Sequence, residues 1–200
     1  DYYWRGMHKD VCTYVNSCTT CQQNKPGHEH AAGLARPLPV PNHPFETWGL
    51  DFIIMPTSKT GKNCIVVFVC HKSKMVHAIA ATMTGDKENP LSAKEVARIY
   101  FDYIVKHYGL CSAIVSDRDR RFVSAFWQEL HKLCGTALHM STAFRPQTDG
   151  LTERENRTVV QTLSCVLQDL GGDWEDHLTA VEFAMNNSVN ASTGVSPFFM

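Results

Sequence analysis

Three acidic residues occupy places where a carboxylate invites an explanation. Asp51 interrupts the otherwise apolar run Trp48-Gly49-Leu50-Asp51-Phe52-Ile53-Ile54-Met55. Strand alternation sets Trp48, Leu50, Phe52 and Ile54 on one face and Gly49, Asp51, Ile53 and Met55 on the other. An acid in such a run costs several kcal/mol unless a cation or hydrogen bonds compensate it, or unless its face is exposed to solvent. Asp117 follows the short apolar run Ala113-Ile114-Val115, and strand ends are where ligand-binding residues of open α/β sheets gather. Ser116-Asp117-Arg118-Asp119 is also good turn chemistry, and Asp119 lies two residues further into the loop. Glu153 falls in the first turn of a long helical pattern after Thr148-Asp149-Gly150, where an acid also suits the helix dipole. Each acid has an ordinary account when taken alone. As a set they would suit divalent-metal chemistry on phosphates. Magnesium sites combine one or two carboxylates per ion with substrate phosphate oxygens, and a two-metal site needs carboxylates arriving from separate rigid elements.

Cys18 and Cys21 form a Cys-x-x-Cys pair, compatible with zinc, redox chemistry or chance. Tetrahedral zinc needs four ligands, so this pair alone is an incomplete site. His8, His28 and His30 are the neighbouring imidazoles, on sequence proximity only. The chain has eight cysteines and no secretory signal pattern, which favours reduced thiols or metal ligands over a disulfide framework. Cys64, Cys70, Cys111, Cys134 and Cys165 sit in apolar patterns and read as core residues.

The elements that must position these groups follow from periodicity. Residues 1–25 read as a short helical unit, with Val11, Tyr14 and Val15 at helical spacing. Residues 26–44 carry five prolines and two glycines (Pro26, Pro37, Pro39, Pro41, Pro44, Gly27, Gly33) and read as a semi-extended linker. A main domain starts at Phe45 and runs to residue 200. Strands are predicted at Trp48–Met55, Cys64–Val69 and Val76–Ala81, with a Lys59-Thr60-Gly61-Lys62 turn closing the first hairpin. A helix spans Ser92–His107, with Ser92 as its cap and Glu95 three residues on. Ala113–Val115 is a short strand, a helix runs from about Ser124 to Cys134, and Leu138–Met140 is another short strand. The polar loop Ser141–Gly150 leads to a long helix with Val159, Leu163, Val166, Leu167 and Leu170 on one stripe, ended by Gly171-Gly172. A last helix covers Trp174 to about Val189. This order gives an α/β architecture, a mixed sheet with helices packed against it.

Composition bounds the rest. An apolar content of 44% over 200 residues suffices for one packed domain with a small appendage and excludes a disordered chain. No apolar run is long enough for a membrane span, so the protein is expected to be soluble and intracellular, and to be a piece of something longer. The net charge of -1 makes no electrostatic case for nucleic acid by itself. Its distribution is uneven. Residues 118–160 carry seven Lys/Arg against five Asp/Glu, whereas residues 171–200 carry Asp173, Glu175, Asp176 and Glu182 and no Lys or Arg. Any DNA-facing surface is therefore expected upstream of Gly171.

The motifs around the acids resemble a known family. Ser116-Asp117-Arg118-Asp119-Arg120-Arg121-Phe122-Val123-Ser124 and Ser141-Thr142-Ala143-Phe144-Arg145-Pro146-Gln147-Thr148-Asp149-Gly150-Leu151-Thr152-Glu153-Arg154 are similar to the integrase core of gypsy-like long-terminal-repeat retrotransposons. Asp117 and Glu153 have 35 residues between them, as in that family's catalytic triad. Trp48–Phe52 and Thr193-Gly194-Val195-Ser196-Pro197-Phe198 extend the likeness to roughly residues 2–200. Two positions depart from the pattern: Arg145 stands where the family usually has His, and Leu151 where it usually has Gln. Neither is a metal ligand.

The resemblance implies a ribonuclease H-like fold in which Asp51, Asp117 and Glu153 coordinate two Mg²⁺ or Mn²⁺ ions for trimming and joining of DNA ends. It also implies that Cys18 and Cys21 belong to a partial His-His-Cys-Cys zinc module over residues 1–25, with Zn²⁺ bound only if the paired histidines upstream of Asp1 are present. Gln147, Arg154, Asn156 and Arg157 are the candidate DNA contacts, although each also fits a solvated polar face. The partners implied are element ends, target DNA and further copies of the full-length protein, with a nuclear site of action and no membrane. Two other readings stay open: a catalytically silent nucleic-acid-binding or protein-binding remnant, and a ribonuclease H-type hydrolase acting on hybrids.

Overall fold

The structure, a computed structural model, describes residues 2–20, 41–85, 90–116, 120–135 and 150–200, with backbone alone at 120, 121, 150, 151 and 153. The predicted strand at Leu138–Met140, the loop from Ser141, and Cys21, His28, His30, Asp117, Arg145 and Gln147 lie outside the described residues.

The β-branched run Cys64–Cys70 becomes the central strand β2, buried along its whole length. It pairs antiparallel with β1 (Thr47–Ile54) on one side and with β3 (Val76–Ala81) on the other. β4 (Ala113–Val115) joins β1 in parallel, giving the order β3-β2-β1-β4. A strand buried on both faces reads as a continuous apolar run, and β2 does.

Helices cover both faces. On one, Trp48, Leu50, Val66 and Phe68 pack with Val96, Ala97 and Tyr100 of α2 (Ala93–Tyr100) and with Phe126 and Leu130 of α3 (Arg120–Cys134). On the other, Ile65, Val67 and Val69 pack with Val159 and Leu163 of α4 (Gly150–Leu170) and with Trp174, Leu178 and Val181 of α5 (Trp174–Asn187). The alternation predicted for β1 therefore holds, with Phe52 against the first core and Ile53 and Met55 against the second.

Local chemistry explains the helix ends. Ser92 accepts from the Glu95 backbone N–H while the Glu95 carboxylate accepts from the Ser92 N–H, a complete capping box. The helical run after α2 passes through a π turn at Phe101–Val105 and one more turn, Lys106–Tyr108, before Gly109. α3 begins at Arg120, about one turn earlier than the sequence suggested, and Phe122 and Val123 of that added turn already pack against the core. Gly171 (φ 66°) ends α4 with its N–H on the Leu167 carbonyl at 2.9 Å.

α5 also shields the open edge of β3. Asn186, buried on α5, donates its Nδ2 to the Val76 carbonyl at 2.7 Å and accepts from the Val76 N–H at 2.8 Å, replacing a neighbouring strand. One turn earlier, Glu182 accepts from the Ala78 N–H at 2.9 Å and contacts His77 Nδ1 at 3.0 Å. His77 Nε2 in turn meets the Tyr108 hydroxyl at 3.1 Å. Edge strands left open invite pairing with other chains, and this cover removes the template.

The cysteine assignments hold in part. Cys64, Cys70 and Cys111 are buried, while Cys134 and Cys165 are half-buried. At the amino end, α1 (Met7–Ser17) forms where helical spacing predicted it and buries none of its residues. No helix among the described residues is long and apolar enough to cross a membrane.

Candidate metal and nucleic-acid site

Asp51 lies in mid-strand on the face of β1 that α4 covers, opposite Val67 of β2, and is half-buried. Its Oδ1 accepts from the Phe52 N–H at 2.8 Å. Its Oδ2 accepts from Asn156 Nδ2 at 2.6 Å. Buried carboxylates need such partners, and these two bonds leave the group as a fixed pair of hard oxygen donors.

Asn156 arrives from α4, whose apolar residues Val159 and Leu163 anchor the helix against β2. Glu153 stands three residues before Asn156 on the same helix, and residues at that spacing are neighbours on a helix surface. Asn156 Oδ1 is buried with no hydrogen-bond partner among the described residues. Such an orphan acceptor beside a carboxylate is a place where an ordered water or a cation's hydration shell would be satisfied. Oxygen donors of this kind suit magnesium or manganese rather than a thiolate-seeking metal.

β4 lies beside β1 as its parallel partner. The parallel register pairs Thr47 with Ala113, Trp48 with Ile114 and Gly49 with Val115. Ser116, which follows, is buried. Among the described residues no group of three His, Cys, Asp or Glu side chains gathers as a metal cage. The Asp117 and Glu153 side chains are outside that set.

Of the candidate DNA contacts, Arg154 and Arg157 are exposed on the first turns of α4. Asn156 is turned inward to Asp51. Cys18 follows the last turn of α1, with its N–H on the Val15 carbonyl. His8 sits on α1 beside Cys12, with ring nitrogens 3.8 and 3.9 Å from its sulfur.

Sequence reasoning missed Glu155 and Lys74. Glu155 is 8% exposed and burial pushes its carboxyl above the ordinary range, against the pull of Arg154 and Lys74. A signal was available, because Glu155 precedes Val159 and Leu163 by four and eight residues and so falls on the apolar stripe. Lys74 comes to this region from the turn between β2 and β3, which no local pattern reveals.

The fold is that of the ribonuclease H-like integrase cores. The HTLV-2 integrase catalytic core domain in complex with magnesium superposes with a TM-score of 0.57 at 20% identity, covering 78% of this chain and 95% of that one. A chain of the simian T-cell lymphotropic virus intasome in complex with the PP2A regulatory subunit B56 gamma gives 0.57 at 21% identity, covering 95% of this chain and 65% of that one. The BIV integrase catalytic core gives 0.53 at 21% identity, covering 78% and 92%.

Sequence comparison narrows the class. Residues 1–27 match the family model described as the integrase zinc binding domain. The chain is 32% identical over 197 residues to the Transposon Tf2-3 and Tf2-4 polyproteins of Schizosaccharomyces pombe, over 98% of its own length. It spans 14% of the length of those relatives. The resemblance to retrotransposon-type integrases seen in the motifs is thus borne out by sequence and by fold.

Proposed function

We propose that the chain carries the catalytic core of a DNA-integrating polynucleotidyl transferase, with Asp51, Asp117 and Glu153 holding two Mg²⁺ or Mn²⁺ ions. The observation that carries this reading is the Asn156–Asp51 bond, which ties the helix bearing Glu153 to the strand bearing Asp51. The parallel register adds support: Gly49 pairs with Val115, and Asp51 and Asp117 each come two residues later in sequence.

Ions held by Asp51, Asp117 and Glu153 would supply activation of a water or DNA 3′-hydroxyl and charge neutralisation at the leaving oxygen of an in-line displacement. The protein's own work is to hold oxygen donors still. Asp51 is fixed by Asn156 and by the Phe52 N–H, so its carboxylate needs little reordering as the reaction proceeds. Arg154 and Arg157, with Gln147 and Asn156, are the proposed contacts to DNA. Phosphate contacts position the duplex without reading sequence, as suits an enzyme that accepts many targets.

The domain reading is of one piece with this. Residues 1–25 form part of a zinc module, with Cys18 and Cys21 as two of its ligands, residues 26–44 a linker and residues 45–200 the core. Zn²⁺ would be held once upstream histidines complete the set. In solution the enzyme would act on element ends and target DNA, as a multimer and in the nucleus. The neighbours solved with magnesium and as an intasome support the metal and multimer parts of this reading.

The test is a 3′-end nicking and strand-transfer assay with oligonucleotide duplexes and Mn²⁺, comparing wild type with Asp117→Asn and Glu153→Gln. Metal-dependent products from wild type and loss of signal in both variants are expected. Equal signal from all three would sink the catalytic reading. Duplex binding with no Mn²⁺-dependent chemistry, in a protein carrying this chain with its flanking domains, would favour the silent remnant. Cleavage confined to the RNA of a hybrid would favour the hydrolase.

A further inference from the structure

Beyond the carboxylate site, α4 forms one wall of a second concavity. A pocket of about 380 Å³ lies between α4, the end of α5 and the segment that follows it. Its charged lining residues are Lys74, Arg154 and Glu155. Val76, Met185 and Pro197 give it an apolar side. Glu155 is buried and its carboxylate makes no hydrogen bond among the described residues, while both cations act on it through space. Lys74 holds a left-handed backbone (φ 64°), and its Nζ donates to the His71 carbonyl at 2.6 Å, which fixes the ammonium at the pocket wall.

The charge balance selects the ligand. Among the described lining residues, two cations against one carboxylate disfavour a cationic guest, and the apolar side lowers the local dielectric and strengthens attraction for an anion. Arg154 directly follows Glu153, so the pocket flanks the turn of α4 that carries the proposed metal carboxylate.

We propose that this pocket is a phosphate subsite on the DNA path, in which Lys74 and Arg154 take a backbone phosphate and Glu155 tempers their charge. The inference rests on the reading of the chain as a DNA-acting core. A DNA phosphodiester carries one negative charge, and each phosphate neutralised steepens the salt dependence of binding. Glu155 opposes the incoming anion, so removing its charge strengthens the subsite.

The experiment is fluorescence anisotropy of a labelled DNA duplex titrated with the chain over a series of salt concentrations. Lys74→Gln and Arg154→Gln are each expected to weaken binding roughly two- to fivefold, in the range of an exposed charge pair, and to make the salt slope shallower by about one unit. Glu155→Gln is expected to tighten binding by a similar factor. Arg154 is exposed, so its variant reports on the pocket even if a change at Glu155 disturbs folding. Wild type binding the duplex with all three variants unchanged in affinity and slope would overturn this inference alone. Wild type failing to bind the duplex would overturn it together with the DNA reading on which it rests.

Discussion

Asn156 Nδ2 donates to Asp51 Oδ2 at 2.6 Å, joining helix α4 to the middle of strand β1. If this bond positions a metal-holding carboxylate, Asn156→Ala should lower the Mn²⁺-dependent nicking rate about 10- to 100-fold, the usual cost of losing a group that orients a ligand. The melting temperature should move little, because the same change removes the orphan Oδ1. Nicking rates set beside thermal melts check this, and an unchanged rate would remove Asn156 from the site.

Glu155 offers a prediction about pH. Burial raises its pKa in the folded protein, so the folded state binds this proton more tightly than the unfolded chain does. Its favourable contribution is full below the ordinary glutamate value and is lost as pH rises through the raised folded value. Glu155→Gln should therefore raise the melting temperature at neutral pH, with a smaller gain in acid. Melts of both proteins across pH would show it, and a gain that grows in acid would contradict the assignment.

Asn186 tests how the edge of β3 is closed. Asn186→Leu keeps the bulk but abandons the Val76 N–H and carbonyl, both paired in the native protein. Two buried groups left without partners cost roughly 2–5 kcal/mol. Urea denaturation should show that loss, and size-exclusion chromatography should show more self-association as the edge opens.

Ser92 and Glu95 govern the start of α2. Ser92→Ala should cost about 1 kcal/mol, as the loss of an N-cap generally does. Hydrogen bonds from Ser92 hold the Glu95 carboxyl below its ordinary pKa, so its contribution exists above the ordinary value and is lost as pH falls through the lowered one. The gap between wild type and Ser92→Ala should narrow in strong acid. Denaturant titrations at neutral and acid pH would measure both effects.

Much of the fold was legible because it rests on local periodicity. The β-branched run of β2, the alternation of β1 and the Ser92–Glu95 cap each declare themselves within a few residues. What escaped detection depends on contacts distant in sequence. Asn156 reads as a surface residue until α4 is laid across β1, and Asn186 gives no hint that it would replace a strand. The π turn at Phe101–Val105 falls inside the predicted helix Ser92–His107 and has no sequence signature. Asp51 was conspicuous for the opposite reason, since an acid in an apolar run conflicts with its own surroundings.

Asp51, Asp117 and Glu153 are together proposed to hold the metal ions. Calorimetric titration of Mn²⁺ into wild type, Asp51→Asn, Asp117→Asn and Glu153→Gln tests this most directly. Binding by wild type and at least tenfold weaker binding by each variant are expected, with thermal melts confirming that all four are folded. Folded variants that bind Mn²⁺ as wild type does would contradict the proposal.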